Sequence, residues 1–411
     1  MAMIQAFRGI RPNPEVAAKV AALPYDVYDR AEARTEVELH PLSFLSIDRG
    51  ETGLPVELDL YDPQVYEYAG KRLQELRNNG IFIKDESPCF YLYQLTRNGH
   101  SQTGIVACAA IDDYIKGVIK KHENTRLEKE LDRIRHIEAC HAQTGPIFLT
   151  YRQSETIEEV VSKVKEGVPV YHFQTTDEVT HQVWIIDNPE QMKQLHLEFS
   201  EISEIYIADG HHRAASAVKV GLQMRKNCQD FTGEEEFNYF LSVLFPSNEL
   251  KILDYNRIIS DRNNLSKEEC LDRLKESFEI VPFGKQRFRP LHKHQIGMYL
   301  EQDWYQLNVK PFRFSSDPVK NLDVSILQTY VLNALFGIED PKTDSRLSFL
   351  GGIHEAEELE RQADAVDGVA FLMYPTEMDE LFAVADLGRL MPPKSTWFEP
   401  KLRSGLFIHE I

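Results

Sequence analysis

The chain has 411 residues, 42% of them hydrophobic, enough for a substantial core and for more than one domain. Its 46 Lys and Arg against 65 Asp and Glu leave a net charge of −19, a surface that repels phosphate backbones and anionic lipid, so neither nucleic acid nor membrane is an expected partner. Five cysteines without a Cys-x-x-Cys pair, and no run near the ~20 apolar residues of a membrane helix, give the expectation of a cytoplasmic protein with reduced thiols.

From the N-terminus, Pro12-Asn13-Pro14 opens a short helical pattern through Val20, and Pro24-Tyr25-Asp26 closes it, because proline disfavours helix in the residue before it. Residues 63–78 predict an amphipathic helix on the spacing of Val65, Tyr68, Ala69, Leu73 and Leu76, with Asn78-Asn79-Gly80 as a left-handed stop. Two apolar runs, 89–97 and 102–112, flank Asn98-Gly99, a dipeptide whose tolerance of positive φ predicts a tight antiparallel hairpin. A charged helix over 128–142, a strand over 145–152, a helix over 156–166 and a strand pair at 168–176 and 179–186 follow.

Residues 203–208 read as a short apolar strand, and Ala214, Ala215, Ala217, Val218 and Leu222 as a helix on its far side. The Asp-Gly-His-His-Arg box at 209–213 is therefore expected on a strand-to-helix turn. Beyond it come strands over 238–246 and 251–260, helices near 266–277, 323–336 and 353–365, and a strand over 369–375. The aromatic-containing end, 392–408, is expected to pack back on the body rather than trail as a disordered tail. With a boundary near 260, the expectation is an N-terminal α/β region, 1–260, carrying the nucleotide or phosphate site, and a C-terminal α/β region, 261–411, packing back on it.

The box is the strongest local signal. A helix N-terminus presents unpaired N–H groups and a positive dipole end, a natural seat for phosphate. Gly210 allows close backbone approach, Arg213 can fork onto phosphate oxygens, and Asp209 can hold Mg²⁺ or orient a histidine. The plainer reading is that Asp209 is an N-cap and the histidines are surface residues. Zinc is disfavoured, because the adjacent His211 and His212 diverge on a helix.

His122-Glu123-Asn124-Thr125 forms a second centre, where a carboxylate beside a hydroxyl and several cations, among them Arg133, suits hydroxyl deprotonation and phosphate binding. Its alternative is a solvated charged helix with Thr125 as N-cap and Glu128 closing a capping box. Lys394-Ser395-Thr396 offers an ammonium and two hydroxyls but lacks the glycines of a P-loop. Asp26, in a Pro-Tyr-Asp turn, and Arg8 are weaker candidates, and the remaining histidines form no ligand array.

The strand, box and alanine-rich helix resemble the family labelled domain of unknown function 1015. So do Pro24-Tyr25-Asp26-Val27, residues 40–45, His122-Glu123-Asn124-Thr125, Gly145-Pro146-Ile147-Phe148 and residues 393–401, which together span nearly the whole chain. The box alone also resembles the Gly-x-x-Arg-x-x-Ala element of the ParB and sulfiredoxin superfamily, which seats nucleotide phosphates at a helix N-terminus. Gly210 and Arg213 fall on it, with Ser216 in place of the alanine and Ala217 following. One branch of that superfamily consists of free-serine kinases, shorter chains whose Asp and His three residues apart act at the phosphoryl-transfer centre; Asp209 and His212 share that spacing.

The resemblances imply a mixed α/β (α+β) fold: a ParB/sulfiredoxin-like core with antiparallel strand pairs and an additional C-terminal α/β segment. They imply phosphoryl transfer from ATP or ADP to the hydroxyl of a small metabolite, free L-serine first. Glu123, Asp209 and His212 would be catalytic; Gly210, His211, Arg213, His122, Thr125, Arg133, Lys394 and Ser395 would bind nucleotide or phosphate; Asp209 could hold Mg²⁺. A non-catalytic nucleotide-binding switch of ParB type and a phosphate-ester hydrolase are the alternatives.

Overall fold

A computed structural model describes residues 1–411 as two units, Met1–Leu250 with Pro400–Ile411, and Lys251–Glu399. The architecture is mixed α/β with mainly antiparallel pairing.

Nine strands make the sheet of the first unit: β1 (Ile4–Gln5), β2 (Phe90–Arg97), β3 (His100–Ala110), β4 (Ile119–Lys120), β5 (Ile147–Tyr151), β6 (Tyr171–Gln174), β7 (Thr180–Ile186), β8 (Ile205–Asp209) and β9 (Tyr239–Pro246). Their order is β4-β8-β5-β9-β3-β2-β7-β6, with β1 beside the end of β3; only β4–β8 and β5–β9 are parallel. Asn98 at φ 51° and Gly99 at φ 76° close the β2–β3 hairpin, pairing Arg97 with His100. Every residue of β9 is buried, Ser242 included, as suits a nearly continuous apolar run in a strand covered on both faces.

Five helices of this unit matter here: α1 (Pro63–Asn78), α2 (Leu127–Cys140), α3 (Glu155–Lys165), α4 (Pro189–Glu201) and α5 (His211–Asn227). α1 buries Val65, Ala69, Leu73 and Leu76 as its spacing predicts, with Tyr66 buried and Tyr68 only half-buried. Its stripe packs into a core with Phe44, Ile47, Phe82 and Ile408. Residues 400–411 close this core, for Ile408 pairs with Ile10 and Ser404 with Ala22.

The second unit holds a six-stranded antiparallel sheet of β10 (Tyr255–Ile259), β11 (Phe278–Gly284), β12 (Gln295–Leu300), β13 (Asp303–Val309), β14 (Leu347–Gly351) and β15 (Val369–Leu372), ordered β11-β13-β12-β15-β10-β14. A separate ladder joins Lys251–Leu253 to Trp397–Glu399.

Several sequence expectations change. The helical pattern ending at Val20 becomes a strand, Ile10–Pro12, and a one-turn helix, Ala17–Val20. The run 102–112 ends as a strand at Ala110 and continues as a helix. The single strand over 251–260 is two strands of different sheets. The helix expected over 323–336 is one α turn, Asp323–Leu327, that widens into a π-helix, Gln328–Asn333. The helix Arg30–Leu39 has no apolar stripe to betray it, since only Ala33 is buried; its start is marked by the Asp29/Glu32 capping box.

Candidate functional site

The box sits where its sequence places it. β8 ends at Asp209, still paired with Phe148 of β5 after a register shift that leaves Ala208 as the extra, bulged residue. Gly210 at φ 92° makes the corner, and α5 begins at His211. A side chain at 210 would be strained there, and a Cβ would lie 3.3 Å from Arg213 Nε.

Asp209 does not cap α5. Its Oδ1 accepts the N–H of Gly210 at 2.7 Å, and its Oδ2 accepts Lys401 Nζ at 2.7 Å. Burial alone would raise this carboxyl, but the charges of Lys401 and Arg213 and the Gly210 N–H override it and hold the group ionised, well below the usual carboxylate range. Lys401 went unassigned in the sequence; 192 residues separate the pair, so no local spacing could have joined them.

The two histidines act as acceptors. His211 Nε2 receives the backbone N–H of His122 at 3.4 Å, and His212 Nε2 receives that of Arg126 at 3.0 Å. They strap the 122–126 loop, with Glu123 and Thr125, onto the start of α5. An imidazole accepting at Nε2 is neutral with its proton on Nδ1. Consistently, burial and the neighbouring charges push His211 well below its ordinary value and lower His212 too. His122 stands edge to face with His211 at 4.5 Å between ring centres, and burial takes it down to about 4 although Asp209 pulls the other way.

Behind the loop, Ser216 Oγ of α5 donates to the carbonyl of His212 at 2.7 Å and lies 3.1 Å from that of Glu130, and the Glu130 carboxylate takes both Thr125 Oγ1 and Lys219 Nζ. Thr125 is therefore not the N-cap of α2. That position is Arg126, with no side-chain cap, and Glu128 accepts the hydroxyl of Tyr61 at 2.5 Å instead of closing a capping box.

Arg213 and Arg133 share a small cavity of about 30 Å³ with Tyr25, Asp48, Thr144 and Ser404, room for about one water. Arg213 Nη1 donates to the carbonyl of Pro146 at 2.7 Å. The Arg133 guanidinium lies 4.0 Å from the centre of the Tyr25 ring and bonds Asp132, while burial raises the Tyr25 hydroxyl to about 12. Asp26, next to Tyr25, bears on His212 electrostatically. Residues 25–26, 122–133, 145–146, 209–213 and 401 thus converge.

Lys394 and Ser395 belong to the second unit and build a turn. Lys394 adopts φ 58°, its carbonyl accepts Arg257 Nη2 at 2.9 Å, and Ser395 Oγ donates to the carbonyl of Pro392 at 2.7 Å. Arg8 donates to the carbonyl of Asp85 at 3.1 Å.

No three His, Cys, Asp or Glu side chains gather as a metal cage. Asp209 is paired with the ammonium of Lys401. No helix is long and apolar enough to cross a membrane.

A family model described as protein of unknown function DUF1015 matches residues 4–325. The chain belongs to the DUF1015 family. This DUF1015 chain matches no curated protein. Among solved structures it is similar to a free serine kinase in complex with AMP, at 13% identity and a TM-score of 0.36, over 74% of this chain and 91% of that one. It is also similar to SbnI with C-terminal truncation from Staphylococcus aureus, at 12% identity, TM-score 0.38, over 72% and 82%. A conserved hypothetical protein from Pyrococcus furiosus gives 14%, 0.36, 74% and 94%.

Proposed function

We propose that this protein is a nucleotide-dependent phosphotransferase acting on the hydroxyl of a small metabolite, with free L-serine the first acceptor to test. The supporting observation is the ionised Asp209 clasped by Lys401 at the start of α5, with the loop of Glu123 bonded to both box histidines. In this reading the phosphates of an ATP or ADP complex with Mg²⁺ lie against the first-turn amides of α5, and Lys401 and Arg213 hold their charge. The acceptor oxygen attacks the terminal phosphorus, the bond to the nucleotide's bridging oxygen breaks, and Glu123 takes the hydroxyl proton. His212, with Nε2 engaged, positions the loop and has only its Nδ1 face for ligand. The resemblance of Gly210, Arg213 and the Asp209–His212 spacing to the serine-kinase branch supplies the acceptor.

The test is phosphoserine formation from ATP or ADP, Mg²⁺ and L-serine, compared with Asp209→Asn. Asparagine keeps the shape but loses the charge, and turnover should fall ~100-fold or more while the fold persists. Nucleotide binding with no phosphorylated product across a panel of hydroxyl metabolites would favour a ParB-like switch instead. Phosphate release without any acceptor would favour a hydrolase.

A further inference from the structure

A second cleft of about 590 Å³ opens in the first unit among residues 18–23, 28, 36–43, 174–177 and Arg403, within the size range of metabolite sites. None of its lining residues belongs to the box. Its Thr175, Asp177 and Arg403 belong to a buried polar chain that continues behind the wall. Tyr93 Oη meets His181 Nδ1 at 2.8 Å, His181 Nε2 meets Thr175 Oγ1 at 3.1 Å, and Arg403 Nη2 reaches Thr175 at 3.2 Å and both oxygens of Asp177, at 2.6 and 2.5 Å. Burial and the Arg403 charge keep His181 neutral, down to about 3.

Arg403 has a side chain only 4% exposed; its Nε and Nη2 are engaged within the protein, while Nη1 makes no hydrogen bond there and keeps contact with solvent. Because Arg403 lines the cleft, that nitrogen can donate to water there or to a ligand carboxylate that replaces the water. The charges around the cleft come in both signs. Arg403 and Lys19 are cationic, Asp177 and Glu36 anionic, so a bare anion gains no net attraction there. The remaining wall is largely apolar, with Ala21, Ala22, Leu23, Pro41 and Leu42.

We propose that this cleft binds a zwitterionic amino acid with a large apolar side chain. Its carboxylate accepts from Arg403 Nη1, with Lys19 adding charge. Its ammonium faces Asp177 and Glu36, and its side chain lies on the alanine, leucine and proline wall. The site is separate from the nucleotide site proposed above and does not depend on it.

Calorimetric titration of the full chain with phenylalanine, leucine, methionine and tryptophan tests this, alongside phenethylamine and 3-phenylpropionate, which each lack one charge. The zwitterions should saturate, and either singly charged analogue should bind about ten-fold or more weakly, since each forfeits a charge-assisted bond. Arg403→Lys, which keeps the charge but loses Nη1, should weaken binding by a similar factor. Because that residue is buried, the exposed Lys19→Glu is the second variant; it should weaken phenylalanine and leave ATP affinity unchanged. No saturable binding by any amino acid, equal binding of phenylpropionate, or full affinity in both variants would overturn the assignment. Loss of nucleotide turnover in Asp209→Asn with amino-acid binding intact separates the two sites.

Discussion

Protonating His211 or His212 removes the lone pair that accepts a backbone N–H from His122 or Arg126. Both rings, and His122, have folded values below the ordinary 6.5, so the native state binds fewer protons than the unfolded chain between those values. The stabilisation is complete above the unfolded value and is lost as pH falls through the folded ones, down to about 4 for His122. Thermal melts should accordingly drop between pH 6.5 and 4, and the double change His211→Asn, His212→Asn should flatten that slope; an unaltered slope would remove the strap. The Asp209 carboxylate contributes outside this window, since its lowered value places its loss at more acid pH. A double-mutant cycle of Asp209→Asn and Lys401→Met, read by urea unfolding, should give a coupling between about 0.5 and 3 kcal/mol, and zero coupling would dissolve the clasp.

Elements with a strong periodic signal are legible in the sequence. α1, the β2–β3 hairpin, β5, β8 and α5 all stand within a few residues of their expected bounds, because spacing, Asn98-Gly99 and the apolar run before Asp209 each act locally. α4 was missed although Asn188-Pro189 opens it: the Asn188 side chain accepts from Glu190 and Gln191 and Pro189 takes the first position, but only Leu195 and Phe199 are buried. Asn188→Ala should therefore cost about 1 kcal/mol in chemical denaturation, a loss that Asn188→Asp avoids. The edge strand β11 hid for the opposite reason, as its residues alternate poorly between inside and outside. In the candidate site the box and the 122–125 motif were readable as clusters in sequence. Lys401 and Arg403 were not, because what gives each its role is a carboxylate about 200 positions away.

At the scale of the whole molecule, the chain leaves its first unit after Leu250 and re-enters it at Pro400. The returning residues complete the core around Phe44, where Gly405 adopts φ 85° and a Cβ would meet the Phe44 side chain at 2.5 Å. Gly405→Ala should lower the melting temperature of the first unit, by a strain of about 1–2 kcal/mol from backbone conformation plus the collision.

Lys251 and Glu399 are facing partners in one ladder, so the two ends of the interposed unit stand about 5 Å apart. To the surrounding polypeptide a folded insert with such ends is equivalent to a tight loop. When it unfolds, the same connection becomes a flexible tether of roughly 150 residues. Closing that tether is dearer by about 0.6 kcal/mol per doubling of length, or about 3 kcal/mol over the five or six doublings involved. Chain entropy thus makes the stability of each unit depend on the other's being folded.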